Sequence, residues 1–302
     1  MSKVRYTRNI NSVDQLPAEA RMALGAVSER FKFRANDYYL GLIDWDDPDD
    51  PIRKIVIPEY GELEEFGKLD ASNEESNYVV PGCQHKYRHT ALLICNEVCG
   101  AYCRFCFRKR LFMDDNDEVV NDVTPGIEYI RAHREITNVL LTGGDPLLMS
   151  TRKLEAILRP LREIPHVQII RLGSKMPAFN PYRIIDDPEL TAVFARYSTR
   201  QKRIYVMAHY NVPRELTDVS CHALDLLTLR RIPDLAPHVE ADIEEHSAEG
   251  GSDQHHVHGC KEVGPFASLC WVDLVDLRLR EFVGDARMTL AAGLLQVVGV
   301  DR

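Results

Sequence analysis

The 302-residue sequence has no excess of basic residues, no long hydrophobic run and few cysteines for its size. Its 37 Lys and Arg against 46 Asp and Glu give a net charge of -9, which argues against a broad nucleic-acid-binding surface. No apolar run approaches the roughly 18 residues of a membrane span. The first residues also lack the apolar core of a secretory signal. We therefore expect a soluble, cytoplasmic protein without a membrane or nucleic-acid partner.

The eight cysteines are too few for a disulfide scaffold and would stay reduced in the cytoplasm. They are unevenly distributed along the chain, and in a reducing compartment crowded cysteines are typical of metal or redox sites. The candidate functional site therefore lies where they crowd together. The crowded cysteines are Cys83, Cys95, Cys99, Cys103 and Cys106.

From residue 90 onward, short apolar runs rich in β-branched residues alternate with longer amphipathic stretches. This alternation predicts parallel βαβ units in a sheet that is covered on both faces. In such folds the chemistry lies on loops after the carboxyl ends of the strands. The predicted strands are 90–96, 136–144, 167–174 and 203–211, and the predicted helices are 124–134, 151–164 and 187–198.

The residues before this region are less regular. A polar helix is predicted within 1–35, and the acidic stretch 43–51 predicts a turn-rich, solvated connector because it contains two prolines. A short strand is expected over 52–58, and a helix followed by a loop over 59–85.

Beyond residue 230 the alternation of strands and helices ends. We therefore divide the chain into three parts: an N-terminal extension (1–85), a core holding four βα units (86–230), and a diverged or disrupted C-terminal region (231–302).

The strongest motif is the C-x3-C-x2-C spacing of Cys99, Cys103 and Cys106, directly after the first predicted strand of the core. Three thiolates in one short loop can ligate three irons of a [4Fe-4S] cluster and leave the fourth open to a small molecule. A zinc site would need a fourth ligand, for which His89 and Cys95 are candidates outside the loop. Chance clustering is the remaining alternative. The position in a loop and the aromatic Phe105 favour the cluster.

A second motif, Gly143-Gly144-Asp145, ends the next predicted strand. Two glycines allow the backbone to approach a ligand closely, and exposed carbonyls can accept hydrogen bonds from an ammonium group. A plain strand-to-helix turn is the alternative.

The cysteine spacing, with an aromatic residue before the third cysteine, resembles the radical S-adenosylmethionine (SAM) superfamily. The resemblance implies that the open iron chelates SAM. An electron from the cluster then cleaves the sulfonium bond to give a 5′-deoxyadenosyl radical. It also implies that Phe105 lies near the adenine, and that the turn of Gly143, Gly144 and Asp145 holds the amino group of SAM.

Residues 30–220 resemble more narrowly the lysine 2,3-aminomutase family. The similar segments include VPGCQHKYRHTALL, YCRFCFRKR, TGGDPL, MPAFNPYRI and MAHYNVPRELT. The resemblance implies an α/β fold, a partial (β/α)6 TIM-like barrel with the N-terminal segment packed outside. It implies an isomerase that moves an amino group between adjacent carbons of an amino acid, with pyridoxal phosphate (PLP) as a further cofactor. An electron donor such as flavodoxin or ferredoxin and a homo-oligomeric state belong to the same expectation.

The resemblance also assigns roles to three side chains. Arg108 matches an arginine that binds the substrate carboxylate, and the alternative is a surface basic run. Tyr87 matches an aromatic residue near the PLP ring, and the alternative is a strand-edge tyrosine. His209 would lie close to SAM, and the alternative is a core histidine.

Two departures concern PLP. Thr90 stands where the family has an arginine for the PLP phosphate, and the neighbouring basic residue is Lys86. The PLP-binding lysine is also not found, because Lys261, the only lysine after Lys202, lies in a dissimilar stretch. Two alternatives therefore remain open beside the aminomutase: a PLP-independent radical SAM enzyme of the same family, and a cluster-binding but catalytically incomplete, truncated relative.

The similarity is lost after about residue 228. A reading-frame disruption would join an authentic front part to unrelated sequence, whereas a genuine diverged end is the rival hypothesis. In the second case a transition metal could bind a group of imidazoles and a thiol, although a solvated polar loop is the simpler interpretation. The group consists of His255, His256, His258 and Cys260.

Overall fold

The computed structural model describes residues 4–64, 67–113, 118–120, 122–229 and 270–273. It has a mixed α/β architecture built around a sheet with parallel central strands. The part of the C-terminal region that contains His255, His256, His258, Cys260 and Lys261 lies outside the described residues.

In the described part of the chain, seven strands form the main sheet in the order β3-β4-β5-β6-β7-β8-β9. The central strands β5 to β8 are parallel, whereas β3, β4 and β9 run antiparallel to their neighbours at the two sides. The strand bounds are β3 Tyr78–Val80, β4 Cys83–Tyr87, β5 Thr90–Asn96, β6 Asn138–Gly143, β7 Ile169–Ser174, β8 Arg203–Tyr210 and β9 Cys270–Asp273. All four strands predicted for the core are confirmed, with ends shifted by at most two residues.

Helices connect the parallel strands, and three of them confirm the predicted amphipathic segments. These are α4 Thr124–Ala132, α5 Thr151–Glu163 and α8 Pro188–Tyr197. The other helices are α1 Ala18–Arg30, α2 Asp37–Leu40, α3 Pro51–Val56, α6 Met176–Phe179, α7 Tyr182–Ile185 and α9 Asp218–Leu229.

Helix α5 shows how the sequence pattern builds the core. Leu154, Ile157, Leu158 and Leu161 are buried on one face of the helix at the spacing of a 3.6-residue period. They pack in one cluster with buried residues of the strands, including Leu141. This face holds the helix against the sheet.

Two predictions for the N-terminal extension are wrong. Residues 52–58 form no strand, because Asp50 caps helix α3 by accepting a hydrogen bond from the amide of Arg53 at 2.8 Å and Pro51 occupies its first turn. The stretch 59–85 contains 3-10 turns at Tyr60–Leu63 and Glu75–Asn77 and then strands β3 and β4, instead of a helix and a loop.

The composition of the acidic connector predicted a solvated loop, but the connector is partly buried. Asp50 is 1% exposed and also accepts hydrogen bonds from the amide of Asp44 and from the guanidinium of Arg214, which follows β8. The connector thus joins the N-terminal extension to the end of a core strand.

The N-terminal extension has a hydrophobic core of its own, and this core includes two residues of the βα region, Ala101 and Phe179. A short antiparallel pair, β1 Tyr6–Thr7 and β2 Ala35–Asn36, lies in the same part of the chain. Ala101 belongs to the cysteine loop, so the extension packs directly against the candidate site.

None of the helices in the described ranges has the length and apolar character needed to cross a membrane.

Asp50 and its neighbour Asp49 offer a matched test of the connector. We expect Asp50→Ala to lower the free energy of unfolding by about 1–3 kcal/mol, since a helix cap and a buried hydrogen-bond acceptor are lost. Asp49→Ala should change the free energy of unfolding little, because that side chain is 82% exposed and forms a surface ion pair with Lys54. Urea unfolding of both variants checks this, and equal losses would contradict it.

Candidate functional site

Cys99, Cys103 and Cys106 lie in the loop that follows β5, at the carboxyl end of the parallel sheet. All three are half-buried free thiols. Burial raises the pKa of Cys103 to about 12 and raises the pKa values of the other two, and the charges of Cys103 and Cys106 add to the rise at Cys99. A metal that binds these thiols would have to displace their protons.

The backbone of the cysteine loop is held mainly by the N-terminal extension. The amide of Tyr102 donates to the carbonyl of Arg34 at 2.9 Å, and the amide of Arg104 donates to the carbonyl of Ile55 at 2.8 Å. The guanidinium of Arg104 forms a bidentate ion pair with Glu62, with both distances 2.9 Å. These extension residues had no signal in the sequence, because each lies at least 40 positions from its partner.

The turn after β6 packs tightly on the start of the cysteine loop. Gly143 has a φ of +118°, and a Cβ there would lie 2.4 Å from the carbonyl oxygen of Asn96. A Cβ on Gly144 would lie 2.6 Å from the backbone of Val98. Only glycine fits at these positions, so the close backbone approach that the sequence suggested is made to the cysteine loop itself.

Asp145 joins this turn to the end of β7. Its carboxylate accepts hydrogen bonds from the hydroxyl of Ser174 and from three backbone amides, those of Leu147, Lys175 and Met176. Burial raises the pKa of Asp145 to about 6 although all of these hydrogen bonds favour the charged form. The side chain thus fixes two loops of the site relative to each other.

His209, at the end of β8, meets Phe105 of the cysteine loop edge to face, with ring centroids 6.5 Å apart. Beside it, the ammonium of Lys175 pairs with the fully buried Glu215 at 2.5 Å and bonds Asn211 at 2.8 Å. Burial and the nearby charge of Lys175 lower the pKa of His209 to about 4, so the imidazole is neutral at pH 7.

Arg108 is buried and already engaged by a side chain of the extension. Glu74 accepts hydrogen bonds from its Nε and Nη2 at 2.6–3.0 Å, and Thr142 accepts one from its Nη1 at 2.9 Å. Glu74 carries no local signal in the sequence, because it lies 34 positions before Arg108. Arg108 is therefore no surface residue, and all three nitrogens of its guanidinium donate hydrogen bonds to Glu74 or Thr142.

Tyr87 is the one residue among those with assigned roles that lies away from the others. It is 67% exposed and is the last residue of β4, where it pairs with Thr90 at the start of β5. The cysteine loop begins beyond the other end of β5, roughly 20 Å away along a seven-residue strand.

No family model matches the chain. Curated relatives are found nonetheless. One relative is a protein of Aquifex aeolicus that is provisionally named L-lysine 2,3-aminomutase. It is 56% identical over 226 residues, and the match covers 74% of this chain and 60% of the relative. L-lysine 2,3-aminomutase of Acetoanaerobium sticklandii is 40% identical over 77% of this chain and 55% of its own length. Glutamate 2,3-aminomutase of Clostridioides difficile is 34% identical over 77% of this chain and 54% of its own length.

The front part of this chain belongs to a lysine 2,3-aminomutase-like family. The chain spans little more than half the length of the relatives it matches. The homologues are named for lysine or glutamate, so the family name alone does not fix the substrate.

The residues at the aminomutase-family site fit a [4Fe-4S] cluster by their chemistry. Three free thiols share one half-buried loop and lie next to a turn where only glycines are accommodated. Within the described ranges, no three His, Cys, Asp or Glu side chains converge on a point where one metal ion would bind. A cubane does not require such convergence, because each of its cysteines binds a different iron.

PLP fits less well than the cluster. The aromatic residue that the family resemblance assigns to it, Tyr87, is exposed at the far end of β5, and Thr90 beside it offers a neutral hydroxyl to a dianionic phosphate. The described residues thus provide no charged group in the position where the family has its phosphate-binding arginine.

Gly144→Ala and Gly25→Ala form a matched pair. The first should lower the free energy of unfolding by about 1–3 kcal/mol, because its methyl group overlaps the backbone of Val98. The second should raise it by about 0.5–1 kcal/mol, because Gly25 lies within α1 with no atom within 4 Å of its added Cβ. Denaturant unfolding of both variants measures this. A neutral Gly144→Ala would show that the turn is not tightly packed.

The lowered pKa of His209 leads us to expect that stability depends on pH. Its folded-state pKa of about 4 lies below the ordinary 6.5, so the folded protein binds fewer protons than the unfolded chain between these values. Stability from this group is present above pH 6.5 and is lost as the pH falls towards 4. Urea unfolding at several pH values should therefore show a steeper loss for the wild type than for His209→Gln. Identical slopes would contradict the neutral, buried imidazole.

Proposed function

We propose that the front part of the chain holds a [4Fe-4S] cluster on Cys99, Cys103 and Cys106 and supports SAM-dependent radical chemistry of the aminomutase kind. The observation that carries this proposal is the meeting of three free thiols with the Gly143–Asp145 turn and His209 at the carboxyl ends of parallel strands. When bound, the cluster supplies the electron that splits SAM into methionine and a 5′-deoxyadenosyl radical, which takes a hydrogen atom from the substrate.

The chain's own residues would bind and orient SAM. Phe105 is 47% exposed, so a ring face is available for the adenine, and His209 packs against its edge. The backbone of Gly143 and Gly144 would accept hydrogen bonds from the amino group. Asp145 serves this arrangement by holding the turn against β7, since its carboxylate already accepts four donors.

The proposed substrate is a small amino acid. Arg108 would bind its carboxylate, and Glu74 fixes the plane of the guanidinium. The relatives named for lysine and for glutamate both act on α-amino acids, so the carboxylate is the group their substrates share.

The remaining parts of the proposal follow from the family. The four parallel strands would be the first units of a partial (β/α)6 barrel, with residues 1–85 outside it as the extension, 86–230 as the radical SAM core and 231–302 as the diverged region. A small electron donor such as flavodoxin or ferredoxin would reduce the cluster, and a homo-oligomer in the cytoplasm is the expected state.

A second candidate is a PLP-independent radical SAM enzyme of the same family. It is favoured by Thr90 and by the exposure of Tyr87, neither of which suits a PLP site. An absorbance band of the purified protein that shifts on borohydride reduction would support the aminomutase with PLP. If the protein shows no such band after incubation with PLP, the result would support the second candidate.

Electron paramagnetic resonance of the anaerobically reconstituted and reduced protein tests the proposal directly. We expect a [4Fe-4S]+ signal that changes when SAM is added, and we expect Cys99→Ala, Cys103→Ala and Cys106→Ala each to lose most of the iron. Cys95→Ala is the control, because its thiol lies on β5 and donates to the carbonyl of Thr142. Its iron content should equal that of the wild type.

Two results would contradict the proposal. A signal that is indifferent to SAM would argue against an open iron that binds it. Loss of iron in Cys95→Ala would make that residue a ligand and would point to a zinc-type or other four-ligand site.

A further inference from the structure

Arg34 of the N-terminal extension reaches the first cysteine of the loop. Its Nε donates a 2.7 Å hydrogen bond to the carbonyl oxygen of Cys99, and its own carbonyl accepts from the amide of Tyr102 at 2.9 Å. The guanidinium also stacks over the ring of Tyr6, 4.3 Å from the centroid. Arg34 is 7% exposed, so its charge is almost fully removed from water.

Asn36, two residues further along, holds the next carbonyl of the loop. Its Nδ2 donates to the carbonyl of Gly100 at 3.2 Å and to that of Phe179 at 3.0 Å. Its Oδ1 accepts from the amide of Tyr39 and thereby caps α2. The fully buried Asn36 therefore ties the extension, the cysteine loop and helix α6 together.

Arg34 differs from the other buried arginines around the loop in its ion pairing. Arg104 is paired with Glu62 and Arg108 with Glu74. Within the described part of the chain, no carboxylate forms an ion pair with Arg34. A buried charge without a counter-ion is costly, so this guanidinium is suited to an anionic group bound in the cysteine loop.

Three thiolates around an iron–sulfur cubane would supply that anion. Reduction by one electron adds a further negative charge, and a nearby buried cation stabilises the more negative form. The net charge and hydrogen bonds around a cluster are among the factors that set its reduction potential.

We propose that Arg34 and Asn36 are positioning residues for the cluster: they fix the backbone at Cys99 and Gly100, and the guanidinium of Arg34 is a counter-charge that raises the reduction potential. This inference rests on the proposed function, because it requires the cluster on the three cysteines. Neither residue touches the substrate. Arg34 acts through the carbonyl of the first ligand, Cys99, and Asn36 acts through the next carbonyl, that of Gly100.

The test uses the full-length protein, reconstituted anaerobically, with iron and sulfide analysis and an EPR-monitored redox titration. We expect Arg34→Gln to shift the midpoint potential to a more negative value, and Arg34→Lys to restore part of the shift because it keeps the charge. Asn36→Ala should lower the iron content without moving the potential, since it removes hydrogen bonds but no charge.

Arg183→Gln is the matched control. Arg183 also donates to a main-chain carbonyl, that of Met149 at 2.8 Å, and it pairs with Asp187 outside the cysteine loop. Its loss should lower stability but leave the midpoint potential unchanged. If Arg34→Gln does not fold, the midpoint potential of Arg34→Lys and the iron content of Asn36→Ala are compared with those of the control. Values equal to those of the control would then overturn the inference.

The possible outcomes separate the inference from the proposed function. Wild-type protein that holds no cluster overturns the proposed function and the inference with it. A wild type with a SAM-responsive cluster, combined with unchanged potentials and iron contents in the Arg34 and Asn36 variants, overturns the inference alone. A shift of equal size in Arg183→Gln would also overturn it, because the effect would then follow from destabilisation.

Discussion

The hydrogen bond from Arg34 to the carbonyl of Cys99, together with that from Asn36 to Gly100, holds a loop that has little regular structure of its own. Buried backbone groups must find partners, and this loop provides only some of them internally, as in the bond from the amide of Cys106 to the carbonyl of Cys103. The extension supplies them from residues about 65 positions earlier in the chain. The cysteines therefore stand where the core and the extension meet, and the geometry of the site depends on both.

A second contact holds the same loop from the side of the sheet. The turn after β6 comes so close to Asn96 and Val98 that only glycine fits at two successive positions. Asp145 connects this turn to the end of β7, because its carboxylate accepts hydrogen bonds from the hydroxyl of Ser174 and from the two following amides. The carboxyl ends of three neighbouring strands are thus linked by backbone contacts and by the carboxylate of Asp145.

The sequence was most informative where the structural cause is local. The parallel strands appear in the sequence as apolar runs, and α5 carries its buried leucines at helical spacing. Residues of these strands alternate between buried and half-buried positions, so one face of the sheet is covered more deeply than the other. Residues 52–58 were misassigned because a β-branched apolar stretch resembles a strand, whereas the cap at Asp50 and the burial of Ile52, Ile55 and Val56 on one face make it a helix. Arg34, Asn36 and Glu74 could not be predicted, because each acts on a residue far away in the sequence and no local pattern marks such a contact.

The central claim is that the cysteine loop, held in this way, supports the reductive cleavage of SAM. The most direct measurement is to incubate the reconstituted protein anaerobically with SAM and dithionite and to quantify methionine and 5′-deoxyadenosine. We expect both to form in equal amounts and neither to form with Cys99→Ala. Intact SAM in the presence of a fully assembled and reduced cluster would contradict it.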